Sequence, residues 1–297
     1  MTSIRRLLHP VSFSGYGLHT GEPSEVLVAP LPSESGPALE IGGESAPLDL
    51  CPVSGAGRGT TVSLPHCGLR ARTTEHLFAA LAALGLWSVR ISLKGPEVPA
   101  ADGCSALFAG ALFEASTPET DLSVRTRAFS PAFPVTIVDG EKESLLSLFP
   151  GRALRLSYVI EYDERPISTQ MATFDAEKDD FRTCIAEART FALDSEIERL
   201  RAAGLARGGS LDNAVVVGDE TVQASGGLRF PDEFVRHKIL DLLGDLYLLG
   251  CPLNARITAI RAGHAMHCVL VDRLRRLRGV GRRKKTNDLS IKETNYA

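Results

Sequence analysis

Asp232-Glu233-Phe234-Val235-Arg236-His237-Lys238-Ile239-Leu240-Asp241-Leu242-Leu243-Gly244-Asp245 sets a histidine and two carboxylates at four-residue intervals among mostly apolar residues. The spacing predicts a helix, because residues four apart share one face at 3.6 residues per turn. His237, Asp241 and Asp245 then form a stripe on which an imidazole and a carboxylate can converge on one ion. Half of a catalytic metal site has this pattern. A core histidine satisfied by its neighbours has it too, so further ligands must come from elsewhere in the chain.

Outward from that helix, β-like runs alternate with turn signals. Glu25–Ala29, Leu39–Ile41 and Val89–Leu93 read as strands in the first part, with a helix over His76–Leu86 opened by a capping threonine in Thr73-Thr74-Glu75-His76, and another over Ser105–Glu114. The polar stretch Ser116–Arg127 reads as a linker. Beyond it, strands at Val135–Val138, Ser144–Phe149, Leu154–Ile160 and Ile257–Ile260 and a helix at Glu196–Ala203 restate the earlier order. This order suggests two units that mix strands and helices, at residues 1–118 and 128–297, the second ending in a basic tail from about residue 273 to 297.

With 297 residues, 44% hydrophobic, 23% charged and a net charge of −3, the chain has the composition of an ordinary globular protein large enough for two cores. Its longest nearly apolar run, Leu77–Trp87, is too short to cross a hydrocarbon layer that takes about 20 residues. The N-terminus reaches Pro10 before any apolar core and does not read as a secretory signal. Six dispersed cysteines without a Cys-x-x-Cys pair fit reduced thiols, so a cytoplasmic location is expected. Arg273–Lys285 carries eight basic residues, which fits a solvated helix end and tail or a weak peripheral attraction to an anionic membrane. The slightly acidic chain has no recognition motif for nucleic acid, and none is expected as a partner.

Glu75-His76 puts a carboxylate beside an imidazole at a helix start. A catalytic zinc needs three protein ligands, an open position and a nearby base. His76, His237 and Asp241 would supply the ligands and Glu75 the base. In Arg261-Ala262-Gly263-His264-Ala265-Met266-His267, the glycine allows a tight turn that presents His264, a natural proton donor to a departing amine, while His267 reads as a bystander. Asp245 could hydrogen-bond His264 and favour its charged form. Lys238 and Thr190 are candidates to stabilise negative charge on a tetrahedral intermediate.

The motifs Gly15-Tyr16-Gly17-Leu18-His19-Thr20-Gly21, Thr74-Glu75-His76-Leu77, Pro96-Glu97-Val98-Pro99-Ala100-Ala101-Asp102-Gly103, Ala188-Arg189-Thr190-Phe191, Gly208-Gly209-Ser210, Phe234 to Asp241 and Gly263-His264 occur in that order. Together, over about residues 10 to 270, they closely resemble the zinc-dependent UDP-3-O-acyl-N-acetylglucosamine deacetylases, which commit Gram-negative bacteria to lipid A synthesis. The resemblance implies two similar α+β domains, each a sheet packed on helices, with helices facing inward and small inserts. It implies Zn²⁺ on His76, His237 and Asp241; Glu75 as base; His264 as acid; and Thr190, Lys238 and Asp245 as supporting groups, while a site of two histidines and one aspartate also suits Fe²⁺.

The implied reaction is hydrolysis of the N-acetyl group of UDP-3-O-acyl-N-acetylglucosamine to the free amine and acetate. Phe191 would line the acyl passage, and Tyr162, Glu161, Lys142 and Arg261 would meet the nucleotide. His19 falls in the first motif as a further substrate-binding residue. Cys104 where the family has serine, Leu193 at an often aromatic place and the short stretch Asp163–Pro166 depart from the pattern. They bear on acyl length and the nucleotide pocket, not on ligands or proton-transfer groups. Two other readings are a zinc amidohydrolase of the same fold acting on a different acylated sugar and a non-catalytic binding homologue. A zincin protease is disfavoured, since no His-Glu-x-x-His occurs. A monomer acting on a small molecule is the expected state.

Overall fold

The structure, a computed structural model, describes residues 4–32, 35–56, 58–120 and 128–279. Its first part runs β1 (Arg5–Leu7), β2 (Val11–Tyr16), β3 (Pro23–Pro30), β4 (Ala38–Ile41), β5 (Glu44–Pro47), β6 (Val53–Ser54), β7 (Thr61–Ser63), β8 (Arg70–Arg72), α1 (Glu75–Ala83), β9 (Val89–Lys94), α2 (Ala106–Glu114) and β10 (Ser116–Pro118). The second runs β11 (Val135–Asp139), β12 (Ser144–Pro150), β13 (Arg155–Glu161), β14 (Thr169–Asp175), α3 (Phe181–Cys184), β15 (Phe191–Leu193), α4 (Asp194–Ala202), β16 (Val215–Val217), β17 (Val222–Gln223), α5 (Glu233–Tyr247), β18 (Ala255–Ile260) and α6 (His264–Arg278).

Period-two burial builds the sheets. Val89, Ile91 and Leu93 of β9, Leu156, Tyr158 and Ile160 of β13, and Ala255, Ile257 and Ala259 of β18 all turn inward, with less buried residues between them. The two five-stranded sheets have the orders β2-β3-β9-β4-β5 and β11-β12-β18-β13-β14. Each reads first, second, fifth, third, fourth in its own strands, and in each the fifth strand pairs parallel with the third, β9 with β4 and β18 with β13. In both, a small three-stranded sheet falls between the fourth strand and the next long helix, β6–β8 before α1 and β15–β17 before α5. The same topology is thus laid down twice. This is the α+β fold with inserts that the sequence suggested.

The repeats meet through helices. α1 lies against α5 and α2, and α5 also packs on α6, β13 and β14. Every residue of α5 except Arg236, Lys238 and none other is buried, so a helix read as a stripe is enclosed on all sides. Contact with α1 is backbone-close: a Cβ on Gly244 would stand 2.0 Å from the Glu75 carbonyl oxygen. Trp87 stacks on Tyr247 at 4.7 Å, and the Tyr247 hydroxyl donates to the Leu86 carbonyl at 2.6 Å.

Several local expectations are corrected. Neither threonine caps α1 with its side chain: Thr74 at the N-cap already has helical φ and ψ, and the Thr73 hydroxyl donates instead to buried Glu97 at 2.7 Å. The helix stops at Ala83, three residues short of Leu86, where Gly85 takes a positive φ of 67°. Ser116–Pro118, read as linker, pairs antiparallel with Arg5–Leu7; the rest of that stretch from residue 121 to 127 lies outside the described residues. The cluster around His264 opens α6, a 15-residue helix of which the sequence suggested only the basic end from Arg273. Gly263 is not there for conformational freedom, since its backbone is extended at φ −157° and a Cβ would meet nothing within 4 Å. Most of the basic tail, residues 280–297, lies outside the described residues.

Candidate active site

α1 and α5 lie side by side, so consecutive turns of the two helices can face one point. His76 Nε2 is 3.9 Å and His237 Nε2 3.3 Å from Asp241 Oδ1, and the rings stand edge-on with centroids 5.1 Å apart. Two ligand atoms about 2.0–2.1 Å from a tetrahedral zinc stand roughly 3.4 Å apart, so the spacing suits one small ion. Asp241 Oδ1 is buried and has no hydrogen-bond partner among the described residues, although Oδ2 accepts from Lys238 Nζ at 2.9 Å. An oxygen left so and aimed at two imidazole nitrogens is what a cation would satisfy. Both histidines are available as neutral ligands. Burial and the neighbouring His237 push His76 down to about 3, and burial also lowers His237. The Ala188 carbonyl lies 3.0 Å from His237 Nδ1 and accepts its proton, which leaves Nε2 free to ligate.

Beside this triad stand two groups of opposite leaning. Burial raises Glu75 to about 7, helped by the charges of Asp245 and Asp241 and opposed by His264. Burial disfavours a charged His264, but Asp245, Asp241 and Glu75 outweigh it and hold the imidazole at about 10. His264 Nε2 lies 3.8 Å from Glu75 Oε1 and 3.6 Å from Asp241 Oδ2, while Nδ1 is 2.7 Å from Asp245 Oδ2. His267, read as a bystander, is fully buried, with Nδ1 2.8 Å from the same Asp245 oxygen and Nε2 3.2 Å from the Tyr158 hydroxyl. Thr60 also reaches this cluster, through its hydroxyl to Asp245 and its amide to Glu75.

One pocket gathers His19, Tyr162, Thr190, Phe191 and Lys238 around the triad, Glu75 and His264. Leu193, Leu200 and Ala214 continue its wall as an apolar branch. An adjoining recess is lined by Lys142, Glu161 and Arg261, with Tyr162 and Lys238 shared between the two. Asp245 lies behind His264 rather than on the wall. Arg261 is not free in its recess, since its guanidinium lies 3.1 Å from Glu161, and Lys142 stands 3.8 Å from Asp139. Cys104 sits away from the pocket beside the Asp102–Arg229 pair, where burial pushes its thiol up to about 12.

The sequence reading passed over three residues that shape this pocket. Glu97, wholly buried, accepts from the His19 and Thr20 amides and from the Thr20 and Thr73 hydroxyls at 2.7–3.1 Å, tying the His19 loop to the start of α1. Ser105 donates to the His76 carbonyl at 2.7 Å. Arg58 pairs with Glu196 across the pocket mouth, linking the two inserts. Only Glu97 stood in a quoted motif. Partners 24 to 138 residues away leave no local pattern to read.

The sequence pattern of the LpxC family, UDP-3-O-acyl N-acetylglycosamine deacetylase, matches residues 5–276. The UDP-3-O-acyl-N-acetylglucosamine deacetylase of Myxococcus xanthus is 38% identical over 269 residues, covering 90% of this chain and 84% of the relative. Those of Synechocystis and Chlamydia muridarum are 37% and 36% identical, covering 89% and 91% of this chain and 96% and 94% of the relatives. With its repeated α+β topology and a cluster of buried histidine and carboxylate groups that could hold a metal ion, the chain belongs to the UDP-3-O-acyl-N-acetylglucosamine deacetylase family of metalloenzymes.

Proposed function

We propose that this chain hydrolyses the acetamide of UDP-3-O-acyl-N-acetylglucosamine, releasing acetate and leaving the sugar amine. The observation that carries the proposal is the convergence, in one pocket, of ligand atoms of His76, His237 and Asp241 within 4.8 Å of one another with Glu75 and His264. Those three residues would hold one Zn²⁺, and Fe²⁺ suits the same donors. When bound, the ion supplies Lewis acidity that polarises the carbonyl and makes water a stronger acid.

The remaining work belongs to the side chains. Glu75, close to half ionised near neutral pH, takes the proton from the attacking water. His264, protonated at that pH, holds a proton at Nε2 for the departing nitrogen, with Nδ1 anchored on Asp245. Thr190, whose backbone N–H donates to the Gly103 carbonyl and whose own carbonyl accepts from the Val215 N–H, offers a hydroxyl donor to the developing oxyanion. Lys238 adds positive charge, tempered by its pairing with Asp241.

Phe191 and the apolar branch beyond it suit the 3-O-acyl chain. Tyr162, Lys142, Glu161 and Arg261 suit the nucleotide, Tyr162 by stacking and the basic pair by facing phosphate, and His19 closes the other side. The topological repeats are taken as domains of residues 1–118 and 128–297, acting as a monomer in the cytoplasm. No helix among the described residues is long and apolar enough to cross a membrane.

The deciding experiment measures acetate release from 3-O-acylated and non-acylated UDP-N-acetylglucosamine, with and without a chelator. Turnover confined to the acylated sugar and lost with the ion is expected. Equal turnover of both substrates would favour a zinc amidohydrolase for another acylated sugar, and no turnover would favour a binding homologue.

A further inference from the structure

We infer that Thr60 is a positioning residue for proton transfer, its hydroxyl fixing the Asp245–His264 unit while its amide fixes Glu75. The inference rests on the deacetylase reading above. Thr60 is wholly buried and immediately precedes β7, in the insert between the first sheet's fourth strand and α1. Its amide donates to Glu75 Oε2 at 3.1 Å, and its hydroxyl donates to Asp245 Oδ1 at 2.5 Å. The hydroxyl oxygen also lies 3.1 Å from His264 Nδ1. One residue therefore touches α1, α5 and α6 at the proposed base Glu75, the proposed acid His264 and the carboxylate that anchors that acid.

The hydrogen count decides what each contact does. His264 Nδ1 and His267 Nδ1 both meet Asp245 Oδ2, at 2.7 and 2.8 Å, so that oxygen takes the two imidazole protons. Asp245 Oδ1 has the Thr60 hydroxyl as its hydrogen-bond partner and no other among the described residues. Because the hydroxyl gives its single hydrogen to Oδ1 and His264 gives its single Nδ1 hydrogen to Asp245 Oδ2 at 2.7 Å, the Thr60 oxygen at 3.1 Å is the longer, secondary acceptor beside that N–H. Remove the hydroxyl, and Oδ1 becomes an unsatisfied buried carboxylate oxygen. The carboxylate then gains by turning toward one of the histidines, and the His264 ring turns with it.

On the other side, the Thr60 amide holds Glu75 Oε2 and leaves Oε1 directed at the reacting centre, 3.8 Å from His264 Nε2. Gly59 makes this approach feasible: a Cβ there would stand 2.8 Å from Glu75 Oε1. The insert thus supplies both the donor and the clearance beside it.

The test uses the full-length, zinc-loaded protein with Thr60→Val, which keeps shape and amide but loses the hydroxyl, and Thr60→Ser, which keeps the hydroxyl. In Thr60→Val, kcat should fall about 10- to 100-fold, the range typical of groups that orient a catalytic residue from behind. KM should stay within about threefold, as for an interaction made in the transition state rather than in the ground state. Zinc per chain should not change, and Thr60→Ser should recover most of kcat. The downfield Nδ1–H proton resonance of His264 gives a readout that needs no substrate. It should persist in the wild type and in Thr60→Ser and be shifted or broadened in Thr60→Val.

An unchanged kcat in Thr60→Val, equal losses in Val and Ser, or loss of zinc would each overturn the role. If the wild type itself released no acetate, the deacetylase reading would fail, and the His264 resonance alone would decide the positioning role. A resonance indifferent to Thr60→Val would then overturn it.

Discussion

Glu75 and His264 face each other at 3.8 Å in one buried field, yet one is set near neutrality and the other well above it. Burial disfavours charge on both, and the sign of the neighbouring charges separates them: Asp241 and Asp245 repel a second carboxylate and attract an imidazolium. Glu75→Gln keeps the volume and removes the base, so kcat should fall by about 10²–10⁴ with zinc content unchanged, measured by acetate release beside metal analysis. A variant with wild-type turnover would move the base elsewhere. Glu75 and His76 were legible because they are adjacent, and His237 and Asp241 because four residues make one helical turn. Thr60, Glu97 and His267 were not, because their importance lies in partners brought by folding. His267 shows why: only with α6 formed does its ring reach Asp245, 22 residues before it.

At the scale of elements, the site depends on how closely α1 and α5 approach. Gly244 lies on the helix face that meets the Glu75 carbonyl, where a methyl group cannot fit without pushing the helices apart. Gly244→Ala should therefore cost about 1–3 kcal/mol by overpacking. It should also weaken ion binding, because His76 rides on one helix and His237 with Asp241 on the other. Denaturant titration and zinc affinity measured on the same variant check both, and an unaffected affinity would show that the ligands adjust independently of the packing.

A second link fixes the start of α5. Arg189, wholly buried, donates to Glu233 at 2.8 Å and holds the loop that carries Thr190 and Phe191. Burial alone would raise the Glu233 carboxyl, but hydrogen bonds from the Arg189 side chain and amide bring it below its ordinary 4.5. A depressed carboxyl contributes stability that is complete above its unfolded value and is lost as pH falls through the folded value. The urea midpoint should thus decline below about pH 4.5, and less steeply in Glu233→Gln, which has no proton to take up there. An identical acid slope in the variant would remove Glu233 from the account.

Over the whole molecule, the topology is laid down twice while the residues proposed to carry the chemistry are divided between the copies: the first gives Glu75 and His76, the second His237, Asp241 and His264. A mix of strands and helices in a repeated order was legible in alternating apolar runs and turn signals, and the α+β class came with the family resemblance. The inserts were not, because strands of two or three residues, such as β6 and β17, are too short to show a period. With the proposed ligands split in this way, the ion would fasten the repeats together, and binding to the folded state alone stabilises by mass action. At about 100 times its dissociation constant, the ion should add about 2.7 kcal/mol. Chelation should therefore lower the Tm of the wild type, and re-addition of zinc should restore it. His237→Ala, lacking one ligand from the second repeat, should melt near the chelated wild type and respond little to zinc. A Tm of the wild type that ignores chelator while zinc is shown to leave would mean that the repeats are held by α1 and α5 packing alone.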